Sequence, residues 1–324
     1  MWEIDNRTPF TSAGKFKYDN SGKNVRIIIV KAGFDILPDG KTKPAAVQPE
    51  VIHTPEYNFE PGISSIKYDI DFIIDKPATD IILNGHAHAP GGRHVTRTEV
   101  CLKLGPINKT LVVRGDRIWR KGVFGSKSLT IPFVKMPIVY ERAHGGIDTI
   151  HKKKSKHRCF ELNPVGTGFA VKSSSLRGRK VPNIETTKRF KKKVAAGFGV
   201  IANNWAPRVF YQGRLDKNNP GSYLKDFDPR YYQQAPVDQQ VQGFLKGNEG
   251  VELKNLHPDS NLTFNLPGLR PKCQTKFDSS LIEHKLNLHT VIIEPDDNRL
   301  LMVWHTAFEC HGKEHLIEKT IINL

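Results

Sequence analysis

Val25-Arg26-Ile27-Ile28-Ile29-Val30, with Ile36-Leu37-Pro38-Asp39-Gly40 shortly after it, decides how this 324-residue chain folds. The first stretch is apolar and β-branched, which suits a pleated and well-covered strand. The second supplies turn chemistry, so a hairpin is expected to open the fold.

Working outward, strand signals recur at meander spacing. Residues 66–74 alternate loosely, 79–83 are β-branched, and 99–104 and 110–113 are short strand candidates parted by Gly105-Pro106. The pattern continues through Asp116, Trp119 and residues 133–140. It stops at Glu141-Arg142-Ala143-His144-Gly145-Gly146, where the two glycines signal a long irregular segment. Strands return at 262–266, 289–293 and 300–306, the last two bracketing an Asp296-Asp297-Asn298 turn. Helix signals are weak and confined to 203–212 and 238–245. The expected fold is therefore mainly β, a β-rich α+β arrangement of antiparallel strands with long irregular loops. It forms one large domain over 1–324, or two intimately packed lobes, 1–140 and 195–324, joined by a basic loop-rich segment 141–194.

Hydrophobic residues at 38% and aromatics at 9% are enough for a genuine core, which excludes wholesale disorder. Forty-nine Lys and Arg against 33 Asp and Glu give a net charge of +16, a field that steers nucleic acid, anionic lipid or acidic protein. Between His151 and Lys193 fourteen Lys or Arg face only Glu161 and Glu185, so three quarters of the net charge sits in one stretch. Such a stretch repels itself and is expected at the surface. Met1 to Phe10 carries Glu3 and Asp5 and lacks the basic and apolar regions of an export signal. No apolar run approaches the ~20 residues that span a bilayer. A cytoplasmic location and no membrane span are expected. Cys101, Cys159, Cys273 and Cys310 are scattered and form no C-x-x-C pair, which fits reduced thiols.

Chemistry-bearing motifs are sparse. His86 and His88 flank Ala87 at strand spacing with His94 nearby, but no carboxylate or Cys lies at ligand spacing, so an ordinary histidine pair is favoured over zinc. His305, Cys310, His311 and His315 have closer spacing, yet alternate with Glu309 and Glu314; no metal and no cofactor are assigned. There is no G-x-S-x-G, Walker loop or H-E-x-x-H. Catalysis would need acids that converge only in the fold, such as Asp116, Glu141, Asp226, Asp228 and Asp238, and turn or buried-polar roles are favoured for these. Phe160, Phe169 and Phe190 are too sparse for a base-stacking platform, so nucleic acid is disfavoured. Trp205-Ala206-Pro207-Arg208 and Tyr231-Tyr232 have the composition of interface anchors when exposed, and such residues are equally often core.

Several blocks recur in fixed order: Tyr140-Glu141-Arg142-Ala143-His144-Gly145-Gly146, Asn163-Pro164-Val165-Gly166-Thr167-Gly168-Phe169, Pro182-Asn183-Ile184-Glu185, and Gly197-Phe198-Gly199. Trp205-Ala206-Pro207-Arg208, Asp226-Phe227-Asp228-Pro229-Arg230 and Ala235-Pro236-Val237-Asp238-Gln239-Gln240 complete the series. With Ile29-Val30-Lys31-Ala32-Gly33-Phe34-Asp35, Lys76-Pro77-Ala78-Thr79-Asp80 and Gly115-Asp116-Arg117-Ile118-Trp119 before them, the chain resembles, over about 25–304, bacterial type VI secretion adaptors encoded beside the spike proteins VgrG and PAAR. The resemblance implies a non-enzymatic chaperone that binds a toxin effector in the cytoplasm and helps load it onto the VgrG or PAAR tip. It departs from the family at His144, in the lysine-rich stretch after Asp148, and at Asn203-Asn204 before Trp205.

On this reading a β scaffold displays the blocks as a composite surface, with Trp205, Arg208, Tyr231 and Tyr232 as contact candidates and Lys191, Lys192 and Lys193 steering an acidic effector. Glu141, Arg142, Gly145, Gly146, Asn163, Pro164, Asn183, Glu185, Gly197, Phe198, Gly199, Pro207, Asp226, Asp228, Asp238 and Gln239 are the block residues expected either to touch a partner or to hold loop geometry. The rival classes are a hydrolase with acids converging in a cleft and a nucleic-acid-binding protein using the basic segment.

Overall fold

A computed structural model describes residues 2–120, 126–187, 194–214, 224–277, 280–312 and 314–324. The expected β-rich architecture is what the chain adopts: three large sheets and several two-stranded ribbons, with helical turns among the described residues of only three or four residues.

The opening strand, Asn24–Ile36, is the spine of a six-stranded sheet. It pairs antiparallel with Thr11–Tyr18 on one side and Arg299–Glu309 on the other. Its side chains alternate between two apolar environments, Ile28, Val30, Ala32 and Phe34 in the main core and Ile27 and Ile29 in a smaller cluster with Val51, Phe72 and Val303. A strand covered on both faces must be a continuous apolar run, which is how this one reads. The turn after it is closed by Gly40 N–H to Leu37 O at 2.9 Å and Leu37 N–H to Lys41 O at 2.8 Å. Gly40 sits at φ 78°, a conformation in which a side chain is strained.

The second expected hairpin is also present and longer than its sequence signal: Asn287–Glu294 and Arg299–Glu309 pair around a turn at Pro295–Asp297, with Asn298 left-handed at φ 47°. The strand Asp80–Leu83 adds in parallel to Asn287–Glu294, and the short Thr42–Pro44, paired with the end of Asn24–Ile36, is the sixth strand of this sheet.

A five-stranded antiparallel sheet runs in the order Ile184–Thr186, Ile107–Arg114, Arg97–Leu104, Gly250–Lys254, Asn261–Asn265. Here Val100, Leu102 and Leu104 point into the core while alternate residues face solvent, the pattern of a sheet covered on one side. A four-stranded sheet joins Glu3–Asn6, Ile317–Asn323, Lys272–Phe277 and Ser280–His284, the first pair parallel. Each of the three sheets contributes buried apolar residues to one continuous main cluster, and strands from 1–140 pair with strands from 250–309 in two of them. The segment 141–187 contributes Ala143 and Ile184 to the same core.

Candidate functional site

The blocks singled out in the sequence are drawn together by a buried polar network. Lys76 and Asp80, four residues apart, are both essentially inaccessible. The three protons of Lys76 Nζ are donated to Asp80 Oδ2 at 2.6 Å, Thr290 Oγ1 at 2.8 Å and Gln234 Oε1 at 3.0 Å. Asp80 also accepts from Gln234 N–H at 2.7 Å and Gln233 Nε2 at 2.9 Å. Burial pushes the Lys76 ammonium below its ordinary pKa, opposed by the charge of Asp80. Every polar group here has partners, so the network fixes one arrangement of the loop at 233–234 against the central sheet.

Gln239 extends this connection. Its Nε2 donates to Ile81 O at 2.7 Å and Phe198 O at 2.9 Å, and its Oε1 accepts from Lys109 Nζ at 2.7 Å. Lys109 also holds Asp238 Oδ1 at 2.7 Å. Arg208 is buried as well, donating from Nη1 to Asp69 Oδ2 at 2.9 Å and Ile201 O at 2.6 Å, and from Nε to Tyr231 O at 3.0 Å. Trp205 is buried edge-on to Tyr140, with ring centroids 5.5 Å apart. Both Trp205 and Arg208 are therefore structural pins rather than free-standing anchors, and Arg208 presents part of its surface to the cleft described below. Tyr231 and Tyr232 are half-buried and pack with Phe227.

Close approach accounts for two of the block glycines. A Cβ at Gly197 would meet the Tyr140 ring at 2.6 Å, and one at Gly145 would meet Asn163 O at 2.2 Å. Asn163 in turn donates from Nδ2 to Tyr140 O at 2.8 Å and His144 O at 3.2 Å, stitching the Tyr140 block to the block at 163–169. Asn183 does the same for the next pair, donating to Arg114 O at 3.0 Å and Asp116 Oδ1 at 2.9 Å while accepting from Arg142 at 3.2 Å.

The acids proposed for a convergent catalytic site have separate duties. Glu141 accepts from Ser65 N–H at 2.6 Å and Ser65 Oγ at 2.9 Å. Asp116 pairs with Arg142 at 3.0 Å and Asp238 with Lys109; Glu185, a block residue outside that set, pairs with Arg117 at 3.0 Å. Asp228 caps the turn Pro229–Tyr232 by accepting from Arg230 N–H at 2.9 Å. Asp226 lies exposed at a left-handed φ of 59°. Pro164, Gly146 and Gly199 sit within the stitched loops, Gly146 at φ 101°.

These loops enclose an apolar cleft of about 450 Å³. Leu111 and Lys109 of the five-stranded sheet form one wall, Ala206, Pro207 and Tyr211 another, and Ala235, Pro236 and Val237 a third. Arg230 reaches the mouth with its guanidinium 4.4 Å from the centre of the Tyr211 ring. Thr186 and Val194, which flank the run 188–193 in sequence, also line it. Lys191, Lys192 and Lys193 lie outside the described residues. Among described residues the basic character continues on exposed Lys152, Lys153, Lys154, Lys156, Arg158, Lys172, Arg177 and Lys180. Buried Asp148 ties the two basic loops together, accepting from Val171 N–H at 2.9 Å and Ile150 N–H at 3.2 Å.

A second cleft, of about 340 Å³, has His86, Lys135 and Asp296 in its wall. His86 and His88 do share one face, and both bond the same carboxylate, Asp296, at 2.9 and 2.8 Å, with Lys135 Nζ at 2.9 Å. Burial acts to raise the pKa of Asp296, but the hydrogen bonds from His86, Lys135 and His88 outweigh it and hold the carboxyl far below its usual range. The carboxylate comes from more than two hundred positions away, beyond the reach of any local spacing rule. In the other histidine set, His305 is buried and bonds Ile73 O through Nε2 at 2.6 Å, whereas His311 is exposed. Among the described residues no group of three or more His, Cys, Asp or Glu is arranged to hold a metal ion.

Lys76, Lys109, Gln233 and Gln234 were not foreseen as pivots. Lys109 had a signal, since it shares strand parity with the inward Leu111 and Val113. The role of Lys76 depends on Thr290 and Gln234, which no spacing connects to it.

No helix among the described residues is long and apolar enough to cross a membrane. No curated protein and no solved structure matches the chain. Residues 21–305 match the family described as uncharacterized protein conserved in bacteria, DUF2169. The chain belongs to this bacterial family.

Proposed function

We propose that this protein is a type VI secretion adaptor that holds a toxin effector in the cytoplasm and helps load it onto a VgrG or PAAR spike protein. The observation that carries this reading is the convergence of the blocks resembling such adaptors on one apolar cleft. Ala206, Pro207, Ala235, Pro236 and Val237 line it, Lys109 and Arg208 tie its walls together from within, and Gln239 does so from behind. Rigid loops presented on a sheet scaffold are where binding is commonly built. The basic surface beside these blocks supports steering of an acidic partner.

The test is co-purification of the tagged protein from its own cells, with partners identified by mass spectrometry. The same experiment is run with Lys191, Lys192 and Lys193 replaced by Glu. Recovery of a toxin together with a VgrG or PAAR protein is the expected result, and its loss in the triple variant assigns steering to that run. A solitary protein would sink the adaptor reading and return the hydrolase alternative.

A further inference from the structure

We propose that the cleft takes a short extended stretch of a partner polypeptide in which aliphatic side chains are flanked by acidic ones. The inference rests on the adaptor reading and names what that partner must offer.

The apolar part follows from the walls. Leu111, Ile201, Ala206, Pro207, Ala235 and Pro236 present hydrocarbon to a space of about 450 Å³, within the size range in which proteins bury a ligand's apolar groups. The apolar surface continues outside the cleft: Val237 is 63% exposed at its lip, and Leu162 is exposed beside it. An apolar lip in open solvent is a cost to the free protein that an extended chain lying across it removes.

The acidic part follows from charge. Arg230 stands at the mouth on the Tyr211 ring, but its guanidinium is already paired with Asp228 through Nε and Nη2, so the free positive charge comes from the neighbouring loop. Leu162 is reached directly from the loop bearing Lys152, Lys153, Lys154, Lys156 and Arg158, opposed locally by Glu161 alone. The polar atoms deeper in the cleft are already matched: Lys109 holds Asp238 and Gln239, and Arg208 holds Asp69. A partner's own charges therefore gain most beside Leu162, where the exposed lysines of the 152–158 loop lead to the cleft wall through Ala206 N–H bonded to Glu161 O, and its apolar side chains gain most inside. The walls are held by buried hydrogen bonds, so the site is formed before the partner arrives, which limits the ordering cost to the partner's side.

The probe is a fluorescein-labelled peptide with four aliphatic residues between two pairs of glutamates, titrated with the full-length protein by fluorescence anisotropy. Two control peptides replace the glutamates by lysines or the aliphatic residues by serines. The expected result is saturable binding that weakens at least tenfold for either control and also weakens with added salt. Val237→Glu and Leu162→Glu, both at exposed positions, are each expected to weaken it at least tenfold with an unchanged Tm. Equal binding of all three peptides, binding indifferent to both variants, or displacement of the peptide by a second copy of the chain would overturn the inference. If the peptide binds as expected but no spike protein or toxin co-purifies, the adaptor reading falls and the cleft assignment stands. If toxin and spike protein co-purify equally with both cleft variants, the cleft assignment falls and the adaptor reading stands.

Discussion

The loop at 233–240 and the loops at 150–180 are both irregular and polar in sequence, yet the structure treats them oppositely. In the first, Gln233, Gln234 and Gln239 are buried with each hydrogen bond accounted for, and Lys76 and Asp80 are matched beneath them. In the second, eight cations stand in solvent and one buried carboxylate, Asp148, keeps their backbone in place. Polar groups in the first region specify shape, whereas those in the second remain available to a partner. Substitutions in the two regions should accordingly differ in kind: stability in one, association in the other.

The sharpest way to break that contrast is Lys76→Met, which strands Asp80 without its counter-charge in a fully buried site. Loss of one partner of a buried pair costs about 3–5 kcal/mol, so urea denaturation should show a large drop in midpoint with little change in slope. A midpoint near wild type would mean that this network does not specify the loop.

A second effect of comparable reach is acid sensitivity of the same side of the molecule. His289 and His305 stack with ring centroids 4.5 Å apart, both buried. Burial, aided by Lys76 and Lys17 and opposed by the bond to Ile73 O, takes His305 down to about 3, and burial with His305 and Lys76 takes His289 well below its ordinary value. Unfolded histidine titrates near ~6.5, above the folded values, so the unfolded chain binds the extra protons. The stability that neutral His305 contributes is full above about pH 6.5 and is lost as pH falls toward 3, on the order of 1 kcal/mol per pH unit, and His289 acts in the same direction. Stability measured from pH 7 to pH 4 should fall along that slope, and His305→Gln should make it shallower by about one ring's share.

Gly145→Ala tests whether close approach, rather than partner contact, explains the block glycines. A Cβ there overlaps Asn163, and overpacking of this kind costs about 1–3 kcal/mol. A variant of normal stability that loses its partners would reverse the assignment.

The smallest change in stability is expected in the exposed loops. Lys152→Glu, Lys153→Glu and Lys154→Glu together should move the unfolding free energy by about 0.5 kcal/mol or less, while slowing association and flattening its salt dependence. A large stability loss would erase the distinction between the two regions.

What could be read in the sequence was whatever is repeated locally. The β-branched spine Asn24–Ile36 and the hairpin around Asp296, Asp297 and Asn298 declare themselves through composition and turn residues. The edge strand Thr11–Tyr18 does not, because an edge with half-exposed faces carries Ser, Gly and Lys where a central strand carries Ile. The four-stranded sheet was missed for the same reason, its strand Ser280–His284 being almost wholly exposed. In the cleft, the blocks Trp205–Arg208 and 235–240 were visible as blocks, but the residues that bind them to the scaffold, Lys76 with Thr290 and Lys109 with Gln239, meet only after folding. Composition left Trp205 and Arg208 open between interface anchors and core; Trp205 is buried against Tyr140 and Arg208 against Asp69.

The pairing of Asn24–Ile36 with Arg299–Glu309, and of Glu3–Asn6 with Ile317–Asn323, bears on how the molecule comes into being. At a ribosomal pace of about 5–20 residues per second, tens of seconds separate the emergence of each strand from that of its neighbour. During that interval this strongly apolar strand has only Thr11–Tyr18 and the short Thr42–Pro44 beside it, and one long edge waits uncovered. Topologies with such distant pairings fold slowly. The nascent chain is thus itself a client for holding chaperones, and its yield in cells should depend on translation speed and on temperature more steeply than its finished stability would suggest.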